Sequence, residues 1–188
     1  MESFFQECVE AGQQALLIEA IRSGQTGIDE RDGDDQTALM VALVYGDAAL
    51  AAALLALGAD CNARSNDGDT CLSRAIERAD LGLVTLLLDH GADIELASAG
   101  CYTPLALAAM RGHVEIIECL LRRDANIEAR GEMGETPLIE ACLAGQMDAI
   151  GVLLRNGASR SARDASGRTM FDIFEGKAGT APPSHDGA

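Results

Sequence analysis

The sequence has no tryptophan, and aromatic residues make up only 3% of its 188 residues. Surfaces that stack nucleic-acid bases rely on aromatic rings, so this scarcity argues against base-stacking and sugar-binding sites. Basic residues are also scarce, because 14 Lys and Arg stand against 30 Asp and Glu, which gives a net charge of −16. That charge opposes phosphate backbones and anionic lipid, so we expect no nucleic-acid and no membrane partner.

The chain also lacks closely spaced cysteines. It has six, with no CxxC pair among them: Cys8, Cys61, Cys71, Cys101, Cys119 and Cys142. Zinc sites and disulfide frameworks need patterned spacing, so we expect no metal and a reducing location, cytoplasmic and also nuclear. The start, MESFFQECVEAG, has no basic region before a long apolar run, so we expect no signal peptide.

No uninterrupted apolar run is long enough to cross a bilayer. The nearest candidate is residues 38–59, ALMVALVYGDAALAAALLALGA, which Gly46 and Asp47 divide in the middle. A membrane span needs about 20 consecutive apolar residues. We therefore expect two short helices here instead of a membrane span.

What the chain does contain is a repeat of 33 residues. Threonine recurs at this spacing at Thr37, Thr70, Thr103, Thr136 and Thr169. Leucine pairs follow in step at 54–55, 87–88, 120–121 and 153–154. A fixed period of this length indicates stacked copies of one supersecondary unit.

The residues of one unit, GETPLIEACLAGQMDAIGVLLRNGAS, predict a pair of helices. Thr136 suits a helix N-cap, and Pro137 suits the first helical position, where no amide donor is needed. Gly145 can end this helix, and Gly157 suits the left-handed residue after a second helix. Two helices this short cannot bury their apolar faces alone, so neighbouring copies must stack into one continuous core.

These motifs resemble those of the ankyrin repeat family. The family pattern is a Gly-x-Thr-Pro-Leu start, a Gly-His turn, a Leu-Leu pair and a Gly-Ala close. It is matched best in GCYTPLALAAMRGHVEIIECLLRRDANIEA and GETPLIEACLAGQMDAIGVLLRNGAS. The resemblance implies an all-α repeat solenoid of stacked ankyrin repeats with β-turn or hairpin loops. Its expected segments are an N-terminal capping repeat (2–33), four full repeats (34–66, 67–99, 100–132 and 133–165), a truncated C-terminal cap (166–176) and a disordered tail (177–188).

Several units depart from the pattern at glycine positions. Cys101 and Asp35 stand at a turn position that is glycine in the other units. Ala79 stands where glycine would end a first helix, and Asp124 where it would follow a second helix. We expect the turn before Thr103 to be strained, because glycine is the residue that adopts left-handed backbone without penalty.

Residues 101–121 gather two cysteines, a histidine and two glutamates, but the repeat register disperses them. Cys101 falls in a turn, His113 between the helices and Cys119 on a second helix, so they would not converge on one ion. Glu115 and Glu118 are more simply a solvated helix face. There is also no phosphate-binding loop, nucleophile elbow or HExxH motif, so we expect no enzymatic activity and no cofactor.

We expect function to lie on the surface of the first helices. The family resemblance implies that positions four, seven and eight after each threonine, with the residue before it, line a concave binding face. Tyr and Arg are typical interface anchors, and exposed apolar residues mark binding sites. The predicted partner-binding residues are Val44, Tyr45, Arg74, Arg78, Tyr102, Leu107, Met110, Arg111 and Leu143. The alternative is that they are ordinary solvent-facing residues.

Negative charge is concentrated in the first half of the chain. Residues 1–99 contain 18 acids and 5 bases, whereas residues 100–188 contain 12 acids and 9 bases. The acidic turn DERDGDD would steer a basic segment of a protein partner. Its carboxylates are Asp29, Glu30, Asp32, Asp34 and Asp35. The alternative is a solvated hairpin tip. Separately, Asn62 in LALGADCN resembles the sites that asparaginyl hydroxylases modify in ankyrin repeats.

Two functions remain open at this point. The first is a monomeric protein-interaction module, whether adaptor, scaffold or inhibitor, that holds a protein partner on the concave face. The alternative is an acidic escort chaperone for a basic client such as a ribosomal protein or a histone. Salt separates them, because a complex steered by acids weakens as salt rises, whereas a groove anchored on Tyr and Met persists.

Overall fold

The computed structural model of the chain describes residues 4–176. Backbone contacts divide the chain into two compact units, Met1–Ala99 and Gly100–Ala188. The predicted disordered tail, 177–188, lies outside the described residues, as do the first residues of the N-terminal cap.

Both units are built from short α-helices, which follow one another in pairs except for the last described helix of the second unit. The first unit contains α1 (Phe4–Glu10), α2 (Gln14–Arg22), α3 (Ala38–Tyr45), α4 (Ala48–Ala56), α5 (Cys71–Glu77) and α6 (Leu81–Asp89). The second contains α7 (Pro104–Arg111), α8 (Val114–Arg122), α9 (Pro137–Leu143), α10 (Met147–Arg155) and α11 (Met170–Phe174). Between residues 4 and 176 there is no extended β-strand, but single antiparallel bridges join Arg31 to Thr37 and Arg64 to Thr70. The sequence-based prediction of an all-α fold with hairpin loops is confirmed.

All five repeating threonines cap a helix, which confirms the N-cap predicted for Thr136 and extends it to the other four. Each side-chain oxygen accepts a hydrogen bond from the amide three residues later, at Met40, Ser73, Ala106, Ile139 and Asp172. Pro104 and Pro137 occupy the start of their helices, where the missing amide costs nothing. The 33-residue recurrence is therefore a recurrence of helix starts.

The four residues that replace glycine in the pattern all adopt left-handed backbone. Their φ angles are 57° at Asp35, 56° at Ala79, 59° at Cys101 and 63° at Asp124. The expected strain before Thr103 is confirmed at Cys101. The turn at each of these repeat positions therefore has left-handed backbone whether or not the residue is glycine.

Within each unit, the first helix of a pair packs beside the first helices of the neighbouring pairs, and the second helices contact one another in the same order. In the first unit, α3 contacts α1, α5 and α4, and every residue from Ala38 to Leu43 is buried as a result. In the second unit, α9 is enclosed in the same way by α7, α10 and α11. The last residues of a first helix, such as Tyr45 and Leu143, reach solvent.

The apolar stretch 38–59 forms two helices, as predicted. Gly46 ends α3 with φ 72°, and the Asp47 side chain accepts a hydrogen bond from the amide of Leu50 to begin α4. Among residues 4–176, every helix is too short or too polar to traverse a lipid bilayer.

A row of arginines, also spaced by the repeat, holds the hairpin turns. Each donates from Nη1 to the carbonyl of a left-handed residue four positions later. The distances are 2.9 Å for Arg31 to Asp35, 3.4 Å for Arg64 to Gly68, 2.8 Å for Arg130 to Gly134 and 2.5 Å for Arg163 to Gly167. The corresponding position between the second and third of these is Ala97. Arg130 also reaches the carbonyl of Arg163 at 2.8 Å, so it links two successive turns.

Candidate partner-binding face

The residues predicted to bind a partner lie on the first helices and in the turns before them, a set of positions that we call the first-helix face. It comprises positions four, seven and eight after each repeating threonine and the residue before that threonine. Because the chain divides into two units, each unit presents its own part of this face.

The first unit brings two groups of predicted residues together in one small hollow. Its volume is about 100 Å³, and its lining residues are Gln6, Asp32, Asp34, Gln36, Val41, Val44 and Tyr45. Val44 and Tyr45 come from the predicted partner-binding set, whereas Asp32 and Asp34 come from the predicted acidic turn. The hollow therefore combines an apolar wall with a rim of carboxylates.

Tyr45 is held in place by the N-terminal cap. The residue is 40% exposed, and its hydroxyl donates a short hydrogen bond to the carboxylate of Glu10. That bond raises the pKa of the Tyr45 phenol and lowers the pKa of Glu10, which also accepts from Gln6 at 3.0 Å. This hydrogen bond joins Tyr45, at the edge of the hollow, to α1 of the N-terminal cap.

The two predicted arginines of the first unit are engaged within the chain. Arg74 forms an ion pair with Asp69 at 3.2 Å. Arg78 donates to the carbonyl of Val44 at 2.6 Å and so links α5 to the end of α3. Both arginines belong to the first-helix face, but each already forms a contact inside the unit.

The acidic turn is partly a structural device. Oδ1 of Asp32 accepts hydrogen bonds from the amides of Asp34 and Gln36, at 2.9 and 3.0 Å. Asp35 forms an ion pair with Arg31 at 2.7 Å. The carboxylate of Asp34 has no hydrogen bond or ion pair with any residue from 4 to 176. Asp34 is thus the acid of this turn that is most open to a partner.

Asp29 and Glu30 have similar internal roles. Oδ1 of Asp29 accepts from the amide of Asp60 at 2.8 Å, which joins one repeat loop to the next. Glu30 accepts from the Thr26 hydroxyl at 2.7 Å and from the Gly27 amide at 2.8 Å. These two acids contribute negative charge, but their carboxylate oxygens already accept hydrogen bonds within the loops.

Asn62 occupies the register position of Asp29, one repeat later. Its Oδ1 accepts from the amide of Asp93 at 2.8 Å, and its Nδ2 donates to the carbonyl of Gly91 at 3.4 Å. Glu128 makes the corresponding bond to the amide of Ser159 at 2.7 Å. Asn62 therefore fastens neighbouring loops, and its hydroxylation stays a prediction.

In the second unit, the prediction that Leu107 faces solvent is wrong. Leu107 is only 3% exposed, because the body of α7 is enclosed by α8 and α9. The same position is buried at Val41 and at Glu140. Of the other predicted residues in this unit, Met110 is half-buried, and Arg111 and Leu143 are exposed.

Tyr102 lies among carboxylates of the second unit. The charge of Glu140, burial, and the charges of Glu135 and Glu132 raise the pKa of its phenol, in that order. Glu140 itself is 7% exposed, and burial together with the neighbouring Glu135 raises its pKa to about 7. This group of acids around a half-buried tyrosine is a feature that the sequence analysis did not single out.

The histidine and cysteines of residues 101–121 are spread over the unit, in agreement with the repeat register. Cys101 is exposed in the turn, His113 precedes α8, and Cys119 is buried on α8. Within residues 4–176, no three His, Cys, Asp or Glu side chains are close enough to hold a metal ion together.

Comparison with known families agrees with this geometry. The family model for ankyrin repeats (3 copies) matches residues 5–98 and 96–164. The chain belongs to the ankyrin repeat family. No curated protein matches it significantly. Ankyrin repeats are in general protein–protein interaction modules, and the fold is an all-α repeat solenoid.

The ankyrin register also shows which signals the sequence analysis missed. The arginine row at 31, 64, 130 and 163 has the same 33-residue period as the threonines, so its structural role was readable from spacing. Glu140 occupies a position that is Val41, Arg74 or Leu107 in the other full repeats, and Arg74 is the one of these that is charged and paired with an acid, Asp69. An acid at the fourth position after the threonine is therefore the sequence feature that could have indicated a buried charge.

Proposed function

We propose that this ankyrin repeat protein is a non-catalytic interaction module whose first-helix face binds a basic segment of a protein partner. In that role it acts as an adaptor, scaffold or inhibitor and works as a monomer. The observation that carries the proposal is the hollow of the first unit, where Val44 and Tyr45 stand beside Asp32 and Asp34.

The hollow suits the side chain of a lysine or arginine. Such a side chain has an apolar stem that packs on hydrophobic surface and a cationic end that forms ion pairs with carboxylates. Val44 and the Tyr45 ring offer the first kind of contact, and Asp34 offers the second. Tyrosine at an interface also presents a large rigid surface at little entropic cost.

The charge of the chain supports a basic segment as the ligand. The first 99 residues carry 18 acids and 5 bases, so a positively charged segment is attracted to this half before it docks. The six free cysteines agree with a reducing, cytoplasmic or nuclear location.

The same charge favours a second candidate, an escort chaperone that shields a basic client such as a ribosomal protein or histone. Binding of that kind depends on the summed field of many acids, so it weakens steeply with salt and hardly depends on one hollow. A partner seated in the hollow behaves differently, because contacts with Val44 and Tyr45 are not screened by salt.

The deciding experiment is capture of partners from host lysate at about 0.1 M and about 0.5 M NaCl, read by mass spectrometry. The wild type is compared with Asp34→Asn/Tyr45→Ala, which alters the hollow. A control, Glu115→Gln/Leu57→Ala, also removes one acid and one exposed hydrophobic side chain, but from α8 and the end of α4.

We expect the hollow variant to lose a partner that the wild type and the control retain at both salt concentrations, and that partner's bound region to be basic. If all three proteins capture the same basic clients, and high salt removes them equally, the escort function replaces the adaptor. If the hollow variant retains every partner at high salt, the proposed binding site is wrong.

A further inference from the structure

Glu140 is an acid whose carboxylate has no hydrogen-bond or ion-pair partner among residues 4–176. It lies in α9 at the fourth position after Thr136, and only 7% of its surface is exposed. Burial of an ionised carboxylate without a compensating group is costly, so native proteins rarely retain one without a use for it.

Other groups of the second unit face the same spot. Glu135 lies in the turn before α9, and Tyr102 lies in the turn before the neighbouring helix α7. A Cβ on Gly131 would lie 3.4 Å from Oε2 of Glu135 and 4.0 Å from the carbonyl oxygen of Cys101, the residue before Tyr102, so the two turns approach each other there. The charge of Glu135 acts on Glu140, and the charge of Glu140 acts on the Tyr102 phenol. The elements packed around α9 carry further charges, at Arg111 of α7, Asp148 and Arg155 of α10 and Asp172 of α11. The pKa of Glu140 is nevertheless governed by burial and by Glu135, both of which raise it.

The groups around Glu140 are negatively charged or aromatic, so the missing complement is a positive charge. Two carboxylates repel each other there, and the electron-rich face of an aromatic ring attracts cations. Glu132 adds a third negative charge near Tyr102. A single positive group placed against Glu140 and Glu135 would satisfy the buried acid and cancel the repulsion at once.

We propose that Glu140, Glu135 and Tyr102 form a socket that receives one lysine or arginine side chain of a bound protein. The inference rests on the proposed function, since the occupant belongs to a basic segment of the partner. It adds a second contact point, on the second unit, to the hollow of the first unit.

The socket makes binding depend on pH in a defined direction. With a pKa of about 7, Glu140 is mostly protonated at about pH 6 and mostly ionised at about pH 8. A cationic side chain binds the ionised form, so its entry displaces the proton. One proton released over this range corresponds to at most about tenfold tighter binding at the higher pH.

The test is fluorescence anisotropy with a labelled oligolysine peptide at about pH 6 and about pH 8. Four full-length proteins are compared: the wild type, Glu140→Gln, the hollow variant Asp34→Asn/Tyr45→Ala, and Glu115→Gln as a control. Glu115 is an exposed acid of α8, so its removal changes the net charge as Glu140→Gln does without touching the socket. Gln keeps the shape of Glu, so the fold is preserved.

We expect the wild type and Glu115→Gln to bind the peptide about five- to tenfold tighter at the higher pH. Glu140→Gln should lose most of that dependence and bind several-fold more weakly there. A carbon-detected NMR titration should show the Glu140 midpoint falling when peptide is added to the wild type.

The socket is overturned if Glu140→Gln binds with unchanged affinity and pH dependence, or if peptide leaves the Glu140 midpoint where it was. Absence of any peptide binding overturns it as well. The proposed function is judged separately by the hollow variant: weaker binding with an intact pH dependence supports the hollow, whatever the result at Glu140.

Discussion

The guanidinium of Arg78 lies against Gly46, so closely that a Cβ on Gly46 would come within 2.3 Å of Nη2. Gly46 is the left-handed residue that ends α3, and Arg78 donates to the carbonyl of Val44 from the following repeat. The end of one first helix is thus shaped to receive an arginine of the next repeat.

This contact predicts different costs for two glycine substitutions. Gly46→Ala and Gly145→Ala both place a Cβ on left-handed backbone, with φ of 72° and 70°, but Gly145 has nothing within 4 Å. We expect Gly145→Ala to lower the free energy of unfolding by about 1 kcal/mol and Gly46→Ala by about 1 kcal/mol more, since Arg78 must move and lose its bond. Urea denaturation measures both.

Arg78→Ala provides the control for that pair. In an Arg78→Ala background, the excess cost of Gly46→Ala should vanish, because the displaced side chain is gone. Equal costs for the two glycines in the wild-type background would contradict the role given to Arg78.

The arginine row predicts an unequal effect of removing its members. Arg130 binds two carbonyls at 2.8 Å each, whereas Arg64 makes one bond at 3.4 Å. We expect Arg130→Ala to cost about 1–2 kcal/mol of unfolding free energy and Arg64→Ala less than about 0.5 kcal/mol. Thermal and urea denaturation of the two variants should rank them in that order; a larger loss for Arg64→Ala would show that bond geometry does not govern the row.

Much of the fold was predictable because the repeated residues act locally, as helix N-caps and as left-handed turn residues. The threonines at 37, 70, 103, 136 and 169 predicted helix starts, and each caps a helix. Glycine positions predicted left-handed turns, and even their replacements at Asp35 and Cys101 adopt that backbone. Such features depend on a few neighbouring residues, so sequence alone reveals them.

The candidate site was less predictable, because exposure depends on how neighbouring helices enclose one another. Leu107 was expected on the surface but is buried between α8 and α9. The bond from Arg78 to Val44 joins residues 34 apart, and no local pattern indicates that an arginine is already engaged. The burial of Glu140 likewise follows from packing around α9 and not from its own helix.

The buried acid predicts a pH-dependent gain in stability for Glu140→Gln. The folded pKa of Glu140, about 7, lies above the ordinary value of 4.5, so the folded state holds the proton more tightly. The stability of the wild type therefore falls as pH rises from about 4.5 to about 7 and stays lowered above that. We expect Glu140→Gln to be about 1–3 kcal/mol more stable at about pH 8 and little different at about pH 4.

Urea denaturation across that range measures this difference, with Glu115→Gln as the exposed-acid control. A Glu140→Gln variant that is less stable at high pH would mean that the carboxylate has a favourable partner in the folded chain.

The cysteines predict a single fast thiol. Cys101 is exposed and the other five are buried. Burial raises the pKa of Cys71 to about 12 and that of Cys142 to about 11, which suppresses their thiolates. Native protein treated with iodoacetamide at about pH 8 should gain one adduct rapidly, at Cys101, and Cys101→Ser should abolish it. A second equally rapid adduct in intact-mass spectra would contradict the burial of the remaining thiols.

The measurement that tests the central claim most directly is carbodiimide cross-linking of the captured complex, because it joins carboxylates to lysines of the partner at contact distance. The chain has a single lysine, Lys177, so cross-links within the chain are few. The account predicts cross-linked acids in the hollow of the first unit, at Asp34, and on the first-helix face of the second unit, at Glu135 or Glu140. Cross-links confined to acids of the second helices, Glu115, Glu118 and Asp148, would contradict it and place the partner on the opposite layer.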